Sequence, residues 1–489
     1  MIPAKVTAAR HRLRRTLVQQ CSFQLIIFGL LLSVSGCYAQ QNTAGANTLP
    51  VAFPGAEGFG KYASGGRGGK VYIVTNLNDD GEGSFRKAAT ANHPRIIVFA
   101  VSGTIHLNSS ISIKSNATIA GHTAPGDGIC VADKSVQLGG DNIILRYMRF
   151  RLGDKWQRQQ GKVDGSGGED AFSGSGRKHI IIDHCTFSWS NDECLSVYNG
   201  DSTTLQWNII AEPLNYSYHF ETGDTDWEHH GYGGIWGGAH LSAHHNLLAH
   251  CNNRMPRFNG IRQKSTELVD YANNVIYNWG GNHIYAGEGG NYNLINNYYK
   301  SGPSTNKNVK ERIASPGRTD KIPFGKWYVS GNYVDGAPAV TKDNSKGIVM
   351  GNNGSDEDKT STLVTTPHAA MPIVIQTARD AYEDVLKSAG ASFKRDTLDE
   401  RIVNNVRQRS GTIIDVQGGY PHHSAYEITV NAWPVLKSLP APADADNDGM
   451  PDAWEKKQGL NPNDASDASA RTLHHFYTNI EMYINSLLL

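Results

Sequence analysis

Neither sign of charge is in excess in this sequence: 46 lysines and arginines are matched by 46 aspartates and glutamates across 489 residues. That absence removes the long-range field that would draw a chain to nucleic acid or an anionic membrane, so a polyanion has to be met by a local cluster of cations. Long apolar runs are scarce too. The run "FQLIIFGLLLSV" at 23–34 is too short to span a bilayer comfortably, and no long amphipathic pattern interrupts the strand-like segments of the body. Hairpin dipeptides such as Asn-Gly are sparse between those segments, which argues against a sandwich or a propeller. Cysteine is sparse as well. Beyond Cys37 only Cys130, Cys185, Cys194 and Cys251 occur; disulfides are permitted outside the cytoplasm, but Cys185 in the strand-like "IIIDHCTF" reads equally as a small core residue.

What is present is glycine (52 residues) and tyrosine (21), a composition that favours a turn-rich β protein over a helical one. At the start, Lys5, Arg10, Arg12, Arg14 and Arg15 precede the apolar run, which marks residues 1–36 as an export signal. The run closes on "VSGC", which resembles a bacterial lipobox and points to a lipid anchor at Cys37; cleavage after Ala39 in "CYAQQ" is the alternative. The expected location is therefore outside the cytoplasm, as an outer-membrane or cell-surface lipoprotein or a secreted protein.

Short β-branched runs then recur between polar turns: "RIIVFAV", "NIILRYMRF", "HIIIDHCTF", "TTLQWNII", "LVDYANNVIYNW" and "KWYVSGNYV" among them. From "TTLQWNII" onward each run carries an asparagine before an apolar pair, at Asn208, Asn246, Asn274, Asn297 and Asn332. Such repetition at a spacing of about two dozen residues or more predicts a β-solenoid, in which each coil buries its inward side chains by stacking on its neighbours. The asparagines are expected to stack at a turn and hydrogen-bond along the axis.

The segments "AFPGAEGFG", "GSFRKA", "RIIVFAVSGTI", "TIAGHTAPGDGI", "NIILRYMRFRLGD", "IIIDHCTFSWSNDE", "GGIWGG" and "HHNLLAHCNNRMPRF" resemble, in their order, the successive motifs of the pectate lyases of polysaccharide lyase family one. The resemblance spans about residues 51–335. It implies an all-β, right-handed parallel β-helix, cleavage of α-1,4-galacturonan by β-elimination to unsaturated oligogalacturonides, and usually Ca2+ as cofactor. The implied partner is the polysaccharide, with no nucleic acid, and the chain is expected to be a monomer.

Elimination from a uronate removes the weakly acidic proton alpha to the C6 carboxylate and builds negative charge there, so the site needs a base and cations. Asp170 in "GGEDAF" and Asp192 in "WSNDECLS" lie about one coil apart and are candidate calcium ligands; caps of turns are the bland alternative. The resemblance implies two acids four residues apart in the second segment, but the second position here is Ser196. Glu193 is set aside as its replacement because neighbouring residues on a strand point to opposite faces. In "CNNRMPRFNG", Arg254 falls on the family's catalytic arginine, the first residue of an Arg-x-Pro segment. There it is held to take the C5 proton, or else it mainly stabilises charge, since a guanidinium is not readily deprotonated. A further arginine five residues on is Asn259 in this chain, which leaves Arg257 as candidate carboxylate contact. The substrate lysine of similar enzymes is missing from "EHHGYGGIWGG"; His230 is the nearest replacement, and a loop histidine satisfied by its neighbours reads equally well.

The remaining histidines offer no tight zinc set, and "SGGRGGKV" lacks the glycine and hydroxyl residue of a phosphate loop. "DADNDGMPDAWE" at 444–455 does fit a calcium loop: Asp444, Asp446 and Asp448 at alternate positions, Gly449 for the turn, Met450 through its carbonyl, then Asp452 and Glu455. The domain reading is a signal at 1–36, a linker at 37–50, a lyase solenoid at 51–355, a packing segment at 356–440, and an exposed calcium-loop module with tail at 441–489. Two other functions fit parts of the pattern. A polygalacturonase-type hydrolase would need paired carboxylates about the scissile bond, and a pectin-binding, non-catalytic β-solenoid would keep the strands and the calcium loop while tolerating the loss of Arg254.

Overall fold

The computed structural model describes residues 49–489, which form one compact unit. The export signal and the lipid-anchor cysteine expected at 1–37 lie outside the described residues. The chain winds as a right-handed parallel β-helix of three sheets. Each circuit visits them in turn: Ile111–Ile113, Ala117–Ala120 and Ile129–Ala132 make one circuit, and Val136–Leu138, Ile143–Arg146 and Arg149–Arg151 make the next. Every strand of a circuit pairs in parallel with its counterpart in the next, as in Ala117↔Ile143 in the first sheet, Cys130↔Arg149 in the second and Ile111↔Val136 in the third. Right-handedness is what twisted parallel strands joined by crossovers give.

Most apolar runs that read as single strands are two strands joined by a bend. "NIILRYMRF" divides into Ile143–Arg146 and Arg149–Arg151, with Tyr147 at φ 56° between them. The same left-handed residue recurs at His184, Trp207, His245, Asn273 and Asn296, and because it turns the chain from the first sheet into the second, inward side chains continue past the corner. At the last of these corners Gly331 takes the position, φ 69°, where a side chain would meet the Asn296 amide. The strand Leu195–Gln206 is the exception in the other direction. It pairs with the third sheet through Leu195–Tyr198 and with the first through Asp201–Gln206.

The interior confirms the solenoid logic. Val, Ile, Leu and aromatic side chains fill the cylinder from Val74 to Trp327, with Phe150, Phe172 and Phe187 packed at ring-centroid distances of 4.8–5.5 Å, Phe150 and Phe187 stacked and Phe172 inclined to both. The asparagines also stack as expected. Each Nδ2 donates to the Oδ1 of the next, Asn208 to Asn246 at 3.0 Å, Asn246 to Asn274 at 2.9 Å, Asn274 to Asn297 at 3.1 Å and Asn297 to Asn332 at 2.9 Å. Asn344, at the start of the short 3-10 helix Asn344–Gly347 beyond the last strand, caps the series at 3.1 Å. At the other end the Cys185 amide donates to Asn208 Oδ1, so every amide in the row is satisfied without water. Cys130, Cys185, Cys194 and Cys251 are all buried and free; the small-core reading of Cys185 holds.

Two C-terminal pieces close over the solenoid. The helices Ala378–Ser388 and Thr397–Gln408 lay Val385, Leu386, Ile402 and Val406 on the second sheet against Ile209, Leu247 and Val275. Asp396 and Asp399 there neutralise the buried Arg151 at 2.6 and 2.9 Å. The segment 441–489 does not stand off as an exposed module. Met450, Ile480 and Ile484 are buried against Ile96, Val98 and Ala120 of the first sheet, and Arg67 is paired with Glu481 at 2.8 Å.

Candidate active site

The turns that lead into the third sheet place the acids and the arginine side by side. Asp170 precedes Phe172–Ser175, Asp192 and Glu193 precede Leu195, Tyr232 precedes Ile235–Gly238, and Arg254 precedes Arg257–Phe258. Parallel bridges Glu193↔Tyr232 and Tyr232↔Asn253 carry the register of the coils into these turns, about 4.8 Å apart. The side chains therefore face one another along the axis although up to 84 residues separate them in sequence, from Asp170 to Arg254.

Carboxylate oxygens of Asp170, Asp192 and Glu193 all lie within 4.8 Å of one another. The alternation argument that set Glu193 aside does not apply, because Glu193 makes an isolated bridge between bent residues 191, 192 and 194 and is not part of a continuous extended strand. Burial pushes the Asp170 carboxyl well above its ordinary range, and the neighbouring Asp192 charge pushes it further. Burial alone would raise Asp192 also, but the hydrogen bond and charge of His230, with the charge of Arg254, hold it below the usual value. The trio is thus a concentration of negative charge only partly compensated by the protein, which suits a hard cation with oxygen ligands.

His230 is buried and donates from Nε2 to Asp192 Oδ1 at 2.6 Å, with Glu228 Oε2 3.0 Å from its Nδ1. Burial would lower its pKa; the hydrogen bonds to Asp192 and Glu228 outweigh it and raise the imidazole to about 9. That shift favours the protonated imidazole at neutral pH. His219 stacks on it at 4.1 Å and also reaches Glu228, at 2.7 Å.

Arg254 sits in the left-handed region, φ 55°, with its guanidinium against Glu193, 4.0 Å from Asp192 and 4.2 Å from the centre of the Tyr232 ring. The carboxylates and the ring hold the planar group from two sides. Arg257 is placed differently. It is buried, donates to the carbonyls of Phe258 and Asn259, and reaches Glu288 at 3.2 Å, so its fork is already occupied. Glu193, His219, Glu228 and Tyr232 are the site residues that sequence reasoning did not select.

The C-terminal loop forms a second acidic centre. Ligand atoms of Asp444, Asp446 and Asp448 cluster, as do those of Asp448, Glu455 and Asp467. Both oxygens of Asp446, both of Glu455, Asp448 Oδ2 and Asp467 Oδ1 are buried without a hydrogen-bond partner, which an anionic cluster tolerates poorly unless a cation joins it. Asp444 accepts instead from the Asp448 and Gly449 amides. Asp452 lies outside the cluster and accepts from the Ala445 amide at 2.8 Å. The Met450 side chain points into the core. Asp467 was not selected from the sequence.

No family model matches the chain. Fungal proteins do, over almost its whole length. A protein of Aspergillus fumigatus named "Probable pectate lyase C" is 36% identical over 453 residues, 90% of this chain and 95% of that one. One of the same name from Aspergillus flavus is 35% identical over 449 residues, 89% and 94% of the two chains. A solved pectate lyase bound to a hexasaccharide is 17% identical, with 71% of this chain and 99% of that one covered and a TM-score of 0.46.

Proposed function

This chain belongs to the pectate lyase family, and on that premise we propose that the Asp170–Asp192–Glu193–Arg254 cluster is the centre at which it cleaves galacturonan. The activity is that of a polysaccharide lyase: β-elimination in pectate to give unsaturated oligogalacturonides. The hydrolase and the non-catalytic binder drop out with that membership. One observation supports the assignment of the site most directly. Three carboxylates and a guanidinium carried by three coils of the solenoid converge on one face, with His230 hydrogen-bonded to Asp192 among them.

In this reading Asp170, Asp192 and Glu193 hold calcium, which supplies positive charge to the substrate's C6 carboxylate when bound. His230, fixed by Asp192 and Glu228, adds a second positive charge and stands in for the missing lysine. Arg254, braced by Glu193 and the Tyr232 ring, meets the C5 position. There it takes the proton or stabilises the charge left behind, and the bracing keeps it from reorganising as that charge develops. Arg257, tied to Glu288, shapes the wall next to Arg254 rather than gripping substrate with its whole fork. The kinship to family one, export by the basic and apolar N-terminal segment, and anchoring at Cys37 belong to the same reading. Incubation with polygalacturonate, with and without chelator, tests it: ultraviolet absorbance of the unsaturated product appears, and chelator removes it.

The C-terminal loop binds a structural calcium through Asp444, Asp446, Asp448, Glu455, Asp467 and the Met450 carbonyl. Asp446→Ala is expected to weaken calcium binding and lower the melting temperature while leaving turnover per folded molecule nearly intact. A loss of turnover in well-folded variant protein would overturn the separation of the two centres. Calcium-free protein has its own signature. Burial, then the neighbouring carboxylates, raise both Asp448 and Glu455 to about 7, against about 4 in an unfolded chain. Between those values the folded state holds more protons, so stability falls as pH rises from about 4 to about 7. Melting curves in chelator should show that decline, and added calcium should flatten it.

A further inference from the structure

Beyond Arg254 on the same face lies an open cavity of about 530 Å³, lined by Arg257, Arg262, Tyr285, Glu288, Arg318 and Asp320 among others. The cleavage chemistry uses none of the last five. Its place is set by register: Ile235 pairs with Arg257, Arg257 with Tyr285 and Tyr285 with Ser315. The cavity therefore continues the third sheet from the Arg254 coil over the next two, a reach of roughly 10 Å at the usual strand spacing. Three guanidinium groups face two carboxylates here, in a chain with no net charge. Glu288 is shared by Arg257 at 3.2 Å and Arg262 at 2.6 Å, while Arg318 lies 5.1 Å from the centre of the Phe324 ring and makes a loose contact with Asp358 at 3.7 Å. The side chains of Arg262 and Arg318 remain 48% and 42% exposed. Each keeps donors of its planar fork available, and that fork matches a carboxylate.

The geometry points to a carboxylate-binding subsite at Arg262 and Arg318 that grips a galacturonate unit of the bound chain one to two coils beyond Arg254. It rests on the cleavage reading above. A uronate polymer seated over Arg254 and running along the axis presents one carboxylate per unit to this cavity, and the Tyr285 ring offers its next unit an apolar surface. A chain too short to reach the cavity does not engage it, so the subsite makes the enzyme prefer longer substrates.

Kinetics of Arg262→Gln, Arg318→Gln and the double variant on polygalacturonate and on trigalacturonate test this, with melting temperature as the check on folding. The double variant is expected to raise KM for polygalacturonate about tenfold, the size of a lost bidentate contact, with kcat within about twofold. The advantage of polygalacturonate over trigalacturonate in kcat/KM should shrink with it. Equal KM for wild type and double variant on polygalacturonate would overturn the subsite, as would a loss of the same size on both substrates. Calorimetry with hexagalacturonate in an Arg254→Lys background reads binding with turnover slowed by roughly a hundredfold, and there too the double variant should weaken binding about tenfold. If wild type forms no unsaturated product, the cleavage reading fails, and the calorimetric arm still decides the subsite.

Discussion

Arg254→Lys is expected to lower kcat on polygalacturonate by roughly a hundredfold or more with little change in KM, the pattern for loss of a contact made mainly in the transition state. Lysine keeps the positive charge. It loses the planar group that lies 4.2 Å from the Tyr232 ring centre and against Glu193, and with it the direction in which that charge is presented. Binding of the polymer is shared among many carboxylates, whereas the charge that develops at C5 is met at one place, so the deficit should appear in turnover. Steady-state kinetics on variant protein with an unaltered melting temperature provides the check. Turnover at the wild-type rate would show that Arg254 is not at the reacting carbon and that the cluster has another use.

Much of the architecture was legible because a solenoid repeats its buried pattern. The apolar runs and the asparagine row both report positions that face inward on every coil, and Asn208 to Asn332 stack as the sequence implies. The corners were less legible. A run such as "LVDYANNVIYNW" contains Leu268–Ala272 and Val275–Tyr277 on different sheets, yet its inward pattern passes the left-handed Asn273 without interruption. Asn344 continues the row from a short 3-10 helix outside any apolar run, so no periodicity marks it.

At the site, Asp170, Asp192 and Arg254 could be placed by the motifs around them, but their supports could not. Glu193 was excluded by a rule for continuous strands that an isolated bridge does not obey. His219 and Glu228 meet His230 through a loop without periodicity, where only the fold decides which side chains touch. The full length of chain between Arg257 and Glu288 intervenes in the pairing that occupies the Arg257 fork, so its expected grip on substrate was drawn from an arginine whose partner was hidden. In the C-terminal loop the alternate aspartates declare themselves, while Asp467 arrives from the turn after the following helix.

Asp192→Asn carries the second large effect, because Asp192 takes part in two charge balances at once. It is one of three carboxylates whose oxygens lie within 4.8 Å, and it accepts the hydrogen bond from His230 at 2.6 Å. Asparagine retains shape and an acceptor but removes the charge, leaving Asp170 and Glu193 as the anions of the cluster. Hard-cation affinity follows ligand charge count, so the calcium concentration for half-maximal activity should rise by about tenfold or more, with activity partly restored in excess calcium. The rescue is the discriminating part. A variant damaged only through the loosened His230 would stay impaired at any calcium concentration, whereas one that has lost a ligand recovers part of its turnover as calcium saturates. Titrating activity against calcium for wild type and Asp192→Asn separates the two. Wild-type activity that persists in chelator would remove the metal from this cluster altogether and leave Arg254 and His230 as the cations that hold the uronate.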